Sequence, residues 1–143
     1  MKMKKSAGFA WTVLSALLAA ASVVVYLYNC RTPYFSTLGV NTFVVSCAVA
    51  GVVIQLLALA VARMGQRAWM DVLPVAASAF LTAAAIRFIG IRINEIAFIM
   101  TFQKTAANLA DMRSAVVGIA LALAALLISW VASFFDMVKP ADN

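Results

Sequence analysis

The sequence predicts an all-α fold, a four-transmembrane-helix bundle whose third and fourth helices extend as an outer hairpin. Two observations predict it. Of 143 residues, 66% are hydrophobic and only 11% charged, with a mean hydropathy of +1.03. A soluble domain carries roughly 25% charged residues, because its surface must face water. The second observation is a succession of four apolar stretches, at about 6–28, 42–62, 72–91 and 114–135. Each is close to the ~20 residues that cross a hydrocarbon core. The chain from 1 to 143 therefore reads as a single integral membrane domain.

The first span follows a basic start, Lys2, Lys4 and Lys5. Ala19-Ala20-Ala21 resembles a signal-peptide cleavage site. The apolar run continues through Val23, Val24, Val25 and Leu27, however, so the expectation is an uncleaved anchor with its amino end inside. Asn29 to Asn41 forms the first outer loop. Pro33 and Gly39 break helix there, and Tyr26, Tyr28, Tyr34 and Phe35 suit the aromatic belt at a membrane surface. The second span has one amide, Gln55, and no charge. A short inner turn, Arg63 to Asp71, brings the third helix back antiparallel beside it. Pro74 falls in the first turn of that helix, where a missing N–H costs least.

Arg87 to Arg113 is too apolar for a plain loop and too charged for a span. Ile89, Ile93, Ile96 and Met100 recur at helical spacing. The reading is that the two helices continue past the outer surface and turn near Phe102 to Thr105. Arg92 would then lie opposite Asp111, Glu95 near Asn108, and Lys104 by the turn. The alternative is an amphipathic helix lying flat on the surface. Lys2, Lys4, Lys5, Arg63, Arg67 and Lys139 fall inside, against Arg31, Arg87, Arg92, Lys104 and Arg113 outside. Six against five is a small bias, so the amino-terminal cluster and the short RMGQR turn carry the expectation of a multi-pass chain in the cell membrane with both termini cytoplasmic. Basic residues gathered at span ends also account for the net charge of +6 without nucleic acid.

In lipid, helices associate through small residues and a few polar contacts. The fourth span offers such a face in Ser114, Gly118, Ala122, Ala125, Ser129 and Ala132. The second offers Cys47-xxx-Gly51 and Ala58-xxx-Ala62, and the third Ala79-xxx-Ala83. Packing within one bundle is the plain reading, a subunit interface the other. The candidate polar cluster is Arg87, Arg92, Glu95, Asp111 and Gln55. Arg87 sits four residues before Ile91, about 6 Å along a helix. It can snorkel to the headgroups, pair with Glu95, or bind an anionic headgroup or ligand. Glu95 is too shallow for a proton-coupled site, and Gln55 suits an interhelical bond.

Chemical signatures are scarce. The chain has no histidine and five carboxylates, Asp71, Glu95, Asp111, Asp136 and Asp142. The usual general base and the commonest transition-metal ligand are therefore missing. Cys30 and Cys47 form no metal-ligand spacing and read as small buried hydrophobes. No catalytic residue, metal or cofactor is expected. The small multidrug transporters share the helix count but rely on a glutamate in the first helix, and residues 6–28 contain no acid. Membrane thiol enzymes that reduce quinones need a CxxC, which is absent.

NCRTPYFSTLGVN after the first helix, IMTFQKTAANLADMRSAVVGIA leading into the last, and SFFDMVK closing it carry a resemblance over nearly the whole chain. They resemble an unnamed family of small four-helix membrane proteins of anaerobic Gram-positive bacteria, often encoded near family 3 glycoside hydrolases. The resemblance implies a supporting role beside a membrane-attached glycosidase and brings no site residues with it. The expected function is a non-catalytic membrane subunit that scaffolds or anchors a complex. Its partners would be membrane lipid and either copies of itself or another membrane protein. The alternative is an oligomeric channel or transporter for a small solute or ion.

Overall fold

The computed structural model describes residues 3–64 and 68–140. Lys2 and Arg67, two of the basic residues assigned to the inner face, lie outside the described residues. Four helices make up the fold: α1 Ala7–Asn29, α2 Thr42–Ala62, α3 Val72–Thr101 and α4 Ala106–Ala132. All four are long and apolar enough to cross a membrane. Short single turns of tighter helix, Ser36–Leu38 and Ala68–Asp71, lie in the first loop and before α3. The chain ends meet as a two-strand antiparallel pair, β1 Met3–Lys5 with β2 Val138–Pro140. Met3–Lys5 and Val138–Pro140 therefore sit at one end of the bundle, here called the near end.

Local chemistry sets the limits of these helices. Asn41 caps α2, its side-chain oxygen accepting from the Val44 N–H at 3.2 Å. Thr105 does the same for α4 through the Asn108 N–H. Gly39 takes a positive φ of 66°, open to glycine at little cost, as the first loop turns into α2. α3 and α4 are longer than the apolar spans alone. Thirty residues of α3 make a rod of about 45 Å, against a hydrocarbon core of about 30 Å. Residues 102–105 turn the chain from α3 into α4.

The bundle exposes large apolar side chains and, beside a core of small and apolar residues, buries several polar ones. Leu17, Val24, Leu56, Val75, Ile86 and Leu127 are exposed, while Ser15, Ser22, Asn29, Gln55, Ser129 and Arg92 are buried. That inversion fits a lipid solvent, because lipid tails meet leucine as readily as another helix does. Two helix pairs pack most closely, α1 with α4 and α2 with α3. Gly51 lets α2 approach α3, since a Cβ there would lie 2.8 Å from the Leu81 side chain. Gly118 plays the same part for α4, facing the Phe88 ring and Val25. Gly8 brings α1 against the backbone of Phe135 and Asp136. The candidate packing face on α4 thus lies inside the bundle: Gly118, Ala125, Ser129 and Ala132 are buried, Ser114 and Ala122 half-buried.

Candidate functional site

The polar side chains expected to form one cluster fall into two layers. Gln55 and Asn29 are on different helices, and the α1 partners of the two layers, Ser15 and Asn29, are fourteen residues apart. That is about 21 Å along the axis. In the layer toward the near end, each helix contributes one side chain: Ser15, Gln55, Ser78 and Ser129. The Gln55 amide nitrogen donates to Ser15 Oγ at 2.8 Å and to Ser129 Oγ at 3.3 Å. Ser78 and Ser129 hydroxyls are 2.9 Å apart. Ser15 donates onward to the Ala125 carbonyl at 2.7 Å. Gln55 Oε1 is buried without a partner, at a cost of about 1–3 kcal/mol. Gln55 is therefore an interhelical tie.

Ser15 and Ser22 belong to a seam along α1. Gly8, Thr12, Ser15, Ala19, Ser22, Tyr26 and Asn29 are all buried. Their alternating steps of four and three average 3.5 residues, the repeat of a left-handed coiled coil. The Ser22 hydroxyl donates to the Gly118 carbonyl at 3.0 Å, as Ser15 does to that of Ala125. Each advance of seven along α1 meets a retreat of seven along α4, the register of an antiparallel pair.

The far-end layer is built around Arg92, 1% exposed and the largest fully buried side chain. Its Nε donates to Asn29 Oδ1 at 2.9 Å and its terminal nitrogen to Cys30 Sγ at 3.2 Å. The guanidinium lies over the Phe35 ring at 4.7 Å and the Tyr26 ring at 5.6 Å. Rings attract cations through their quadrupole, by about 0.5–2 kcal/mol each depending on desolvation. Asn29, itself fully buried, gives its amide hydrogens to Ser114 Oγ at 2.8 Å and the Asp111 carbonyl at 3.2 Å. One asparagine thus joins α1, α3 and α4. The Tyr26 hydroxyl accepts from the Asn41 N–H at 2.8 Å, which adds the start of α2.

The first loop completes this layer and corrects the expected pairing. Arg92 does not meet Asp111: the Asp111 carboxylate accepts the Tyr34 backbone N–H at 2.9 Å. Glu95 does not meet Asn108 or Arg87. It accepts from the Tyr34 hydroxyl at 3.0 Å, while the Asn108 side chain bonds the Gln103 carbonyl. The reason is steric. Phe35 is driven between α3 and α4 against Ile99 and Ala115, so loop groups reach the two acids before the arginine does. Partial burial, and then the Glu95 carboxylate beside it, raise the Tyr34 phenol above its ordinary value of 10.0. Arg87 points outward and is exposed, apart from both layers. Cys30 and Cys47 are free thiols and both buried; Cys47 packs as a small hydrophobe, whereas the Cys30 sulfur departs from that expectation by accepting from Arg92.

Comparison with known proteins gives no matching family model, no matching curated protein and no matching solved structure. The functional reading rests on the residues.

Chemically, these groups hold helices in register. The serine hydroxyls bond carbonyls, an amide and each other, and none of their bonds goes to a general base. Among the described residues no three His, Cys, Asp or Glu side chains converge on a point where a metal could bind. Two voids flank the near-end polar layer. One, about 20 Å³, is apolar and lies between all four helices beside Ala19, Val44, Leu81 and Ala125. The other, about 390 Å³, opens at the near end beside Ala58, Ala62, Pro74 and Ala132. Those walls are one turn below Gln55, Ser78 and Ser129 on the same helix faces, so the polar layer stands between the two voids.

Sequence reasoning missed Asn29, Ser15, Ser22, Ser78 and Phe35. The seam from Gly8 to Asn29 was available as a run of small or polar residues at steps of four and three.

Proposed function

We propose that the chain is a non-catalytic integral membrane subunit that anchors or scaffolds a partner through the far ends of α3 and α4. One observation carries this reading. α3 continues for nine residues after Arg92, and α4 begins five before Asp111, the two residues that bond Asn29 at the end of α1. This stretch and the turn leave Ile93, Phe98, Met100 and Phe102 uncovered. Phe102 is 74% exposed. Beneath that surface, Tyr34 and Phe35 brace the two helices. An exposed apolar patch of this kind is a feature of interaction sites. With both termini cytoplasmic, the tip stands on the outer side, where a membrane-attached glycosidase of the kind the family resemblance implies could dock.

The test replaces Phe98 and Phe102 with asparagine in tagged protein isolated from its own membranes in mild detergent. Mass spectrometry should find a second polypeptide at fixed ratio with the native chain and lose it with the variant. A variant that keeps its companion, or a native chain that has none, overturns the proposal. The channel alternative receives less support, because the void between the four helices beyond the near-end layer is about 20 Å³, room for about one water. A pore would have to run between copies, and flux into liposomes would reveal it.

A further inference from the structure

We infer that Arg87, Gly90 and Asn94, on the outward face of α3, seat the phosphate of one anionic phospholipid. The three residues are spaced i, i+3 and i+7, which places them on one helix face, and all three are exposed. Arg87 makes none of the hydrogen bonds or ring contacts found among the described residues. The acid nearest to it along α3, Glu95, is engaged by Tyr34.

Gly90 is the telling residue. A glycine in a helix interior costs about 1 kcal/mol against alanine, so it calls for a reason. Gly8, Gly51 and Gly118 have one inside the fold, since a Cβ at each would press on a neighbour. A Cβ at Gly90 would meet nothing within 4 Å. No contact within the chain calls for it, which leaves a partner outside the chain as the candidate reason.

Helix geometry supplies it. Side chains on a helix lean toward its N-terminus, which for α3 is the near end, toward the middle of the bilayer. Phe88 packs with Val44 and Tyr26 close to where α2 begins, so Arg87 lies at the margin of the apolar zone. To leave that zone its stem must double back over the next turn, where position 90 is free of side chain. The same opening lets a phosphate approach the helix between the guanidinium and the Asn94 amide, with Arg87 gripping two oxygens at once. Below it, exposed Phe80 and Ile86 line the path of the acyl chains. A second helix packed over Gly90 would bury the guanidinium without a counter-charge, which is costly. A zwitterionic lipid brings its own cation to its phosphate; an anionic one does not.

The experiment is native mass spectrometry of the protein released from nanodiscs holding equal phosphatidylglycerol and phosphatidylcholine. One phosphatidylglycerol should be retained in preference. Arg87→Ala should cut that retention roughly fivefold, the worth of one cation at a lipid surface. Gly90→Leu, which keeps the charge and fills the groove, should cut it as well. Arg87→Ala should melt close to the native chain in detergent and Gly90→Leu no lower than it, since a side chain at position 90 meets nothing in the fold and relieves a helix glycine. Equal retention of both lipids, or retention unchanged in Arg87→Ala, overturns the inference. Displacement of the lipid by millimolar inorganic phosphate would assign the site to a free anion, and a Gly90-dependent dimer would assign it to a second helix; either result also overturns it.

Discussion

Arg92 and Asn29 offer the most decisive perturbation. Asn29 Oδ1 is the oxygen that Arg92 Nε finds in the layer, at 2.9 Å, and both side chains are at most 1% exposed. Asn29→Ala strands a charged donor away from water, which costs about 3 kcal/mol. The other partners of Asn29 lose less, because Ser114 Oγ already donates to the Asp111 carbonyl at 2.7 Å. Arg92→Met strands Asn29 Oδ1 and gives up the contacts with the Phe35 and Tyr26 rings, for about 2 kcal/mol after relief of the buried charge. In the double variant neither group is stranded. Its loss should be about 3 kcal/mol, short of the ~5 kcal/mol sum, a coupling of about 2 kcal/mol. The assay is equilibrium unfolding with dodecyl sulfate in mixed micelles, followed by helix content. Losses that add within about 0.5 kcal/mol would show that the two side chains do not share a bond and would refute the far-end layer.

Two further predictions concern single positions. Gly118→Leu should lower the yield of folded protein without changing oligomer size on gel filtration. A Cβ there would already lie 3.0 Å from the Phe88 ring and 3.3 Å from Val25, and overpacking costs about 1–3 kcal/mol or more. A folded variant of altered size would instead place this face between subunits. The Tyr34 phenol is raised by burial first and by Glu95 second, so Glu95→Gln should bring its titration down only part of the way toward 10. Because the folded value is raised, the stability it contributes is fully present below pH about 10 and is lost as pH climbs from there through the raised folded value. Phenolate absorbance during an alkaline titration reads both, and no change on Glu95→Gln would contradict the Tyr34–Glu95 bond.

The bundle was legible because lipid imposes a coarse rule that a linear pattern can express. α2 runs from Thr42 to Ala62, the span its apolar run predicts, since it lies between a capping Asn41 and Arg63. α3 and α4 outrun their predicted spans because those were cut to bilayer thickness, while the periodicity of Ile89, Ile93, Ile96 and Met100 carries helix farther. The far-end site was less legible. Pairing Arg92 with Asp111 follows from charge alone, and charge says nothing of where a thirteen-residue loop will lie. Once Phe35 fills the gap beside Ile99, the arginine is walled by rings and the acids face the loop. Depth along the sequence points to Arg87 before Arg92, and burial reverses that order: Arg87 faces outward while Arg92 is enclosed.

The two polar layers explain how a bundle without a hydrophobic drive can hold one register. A slip of one heptad between α1 and α4 would keep small residues against small residues along the seam and cost little in packing. It would, however, carry Asn29 away from Arg92 and Ser114, and Ser15 away from Gln55, stranding buried groups at both levels. The layers are unequal in this respect. Gln55 already leaves its Oε1 unpartnered, so the near-end layer tolerates an unmet bond. Around Asn29 every donor and acceptor just described has its partner, and one of them carries a charge. The far end therefore sets the register. It is also the end at which the loop, α3 and α4 are packed together, so the ring of Phe35 beneath the exposed tip of α3 rests on the same arginine that fixes the alignment of the bundle.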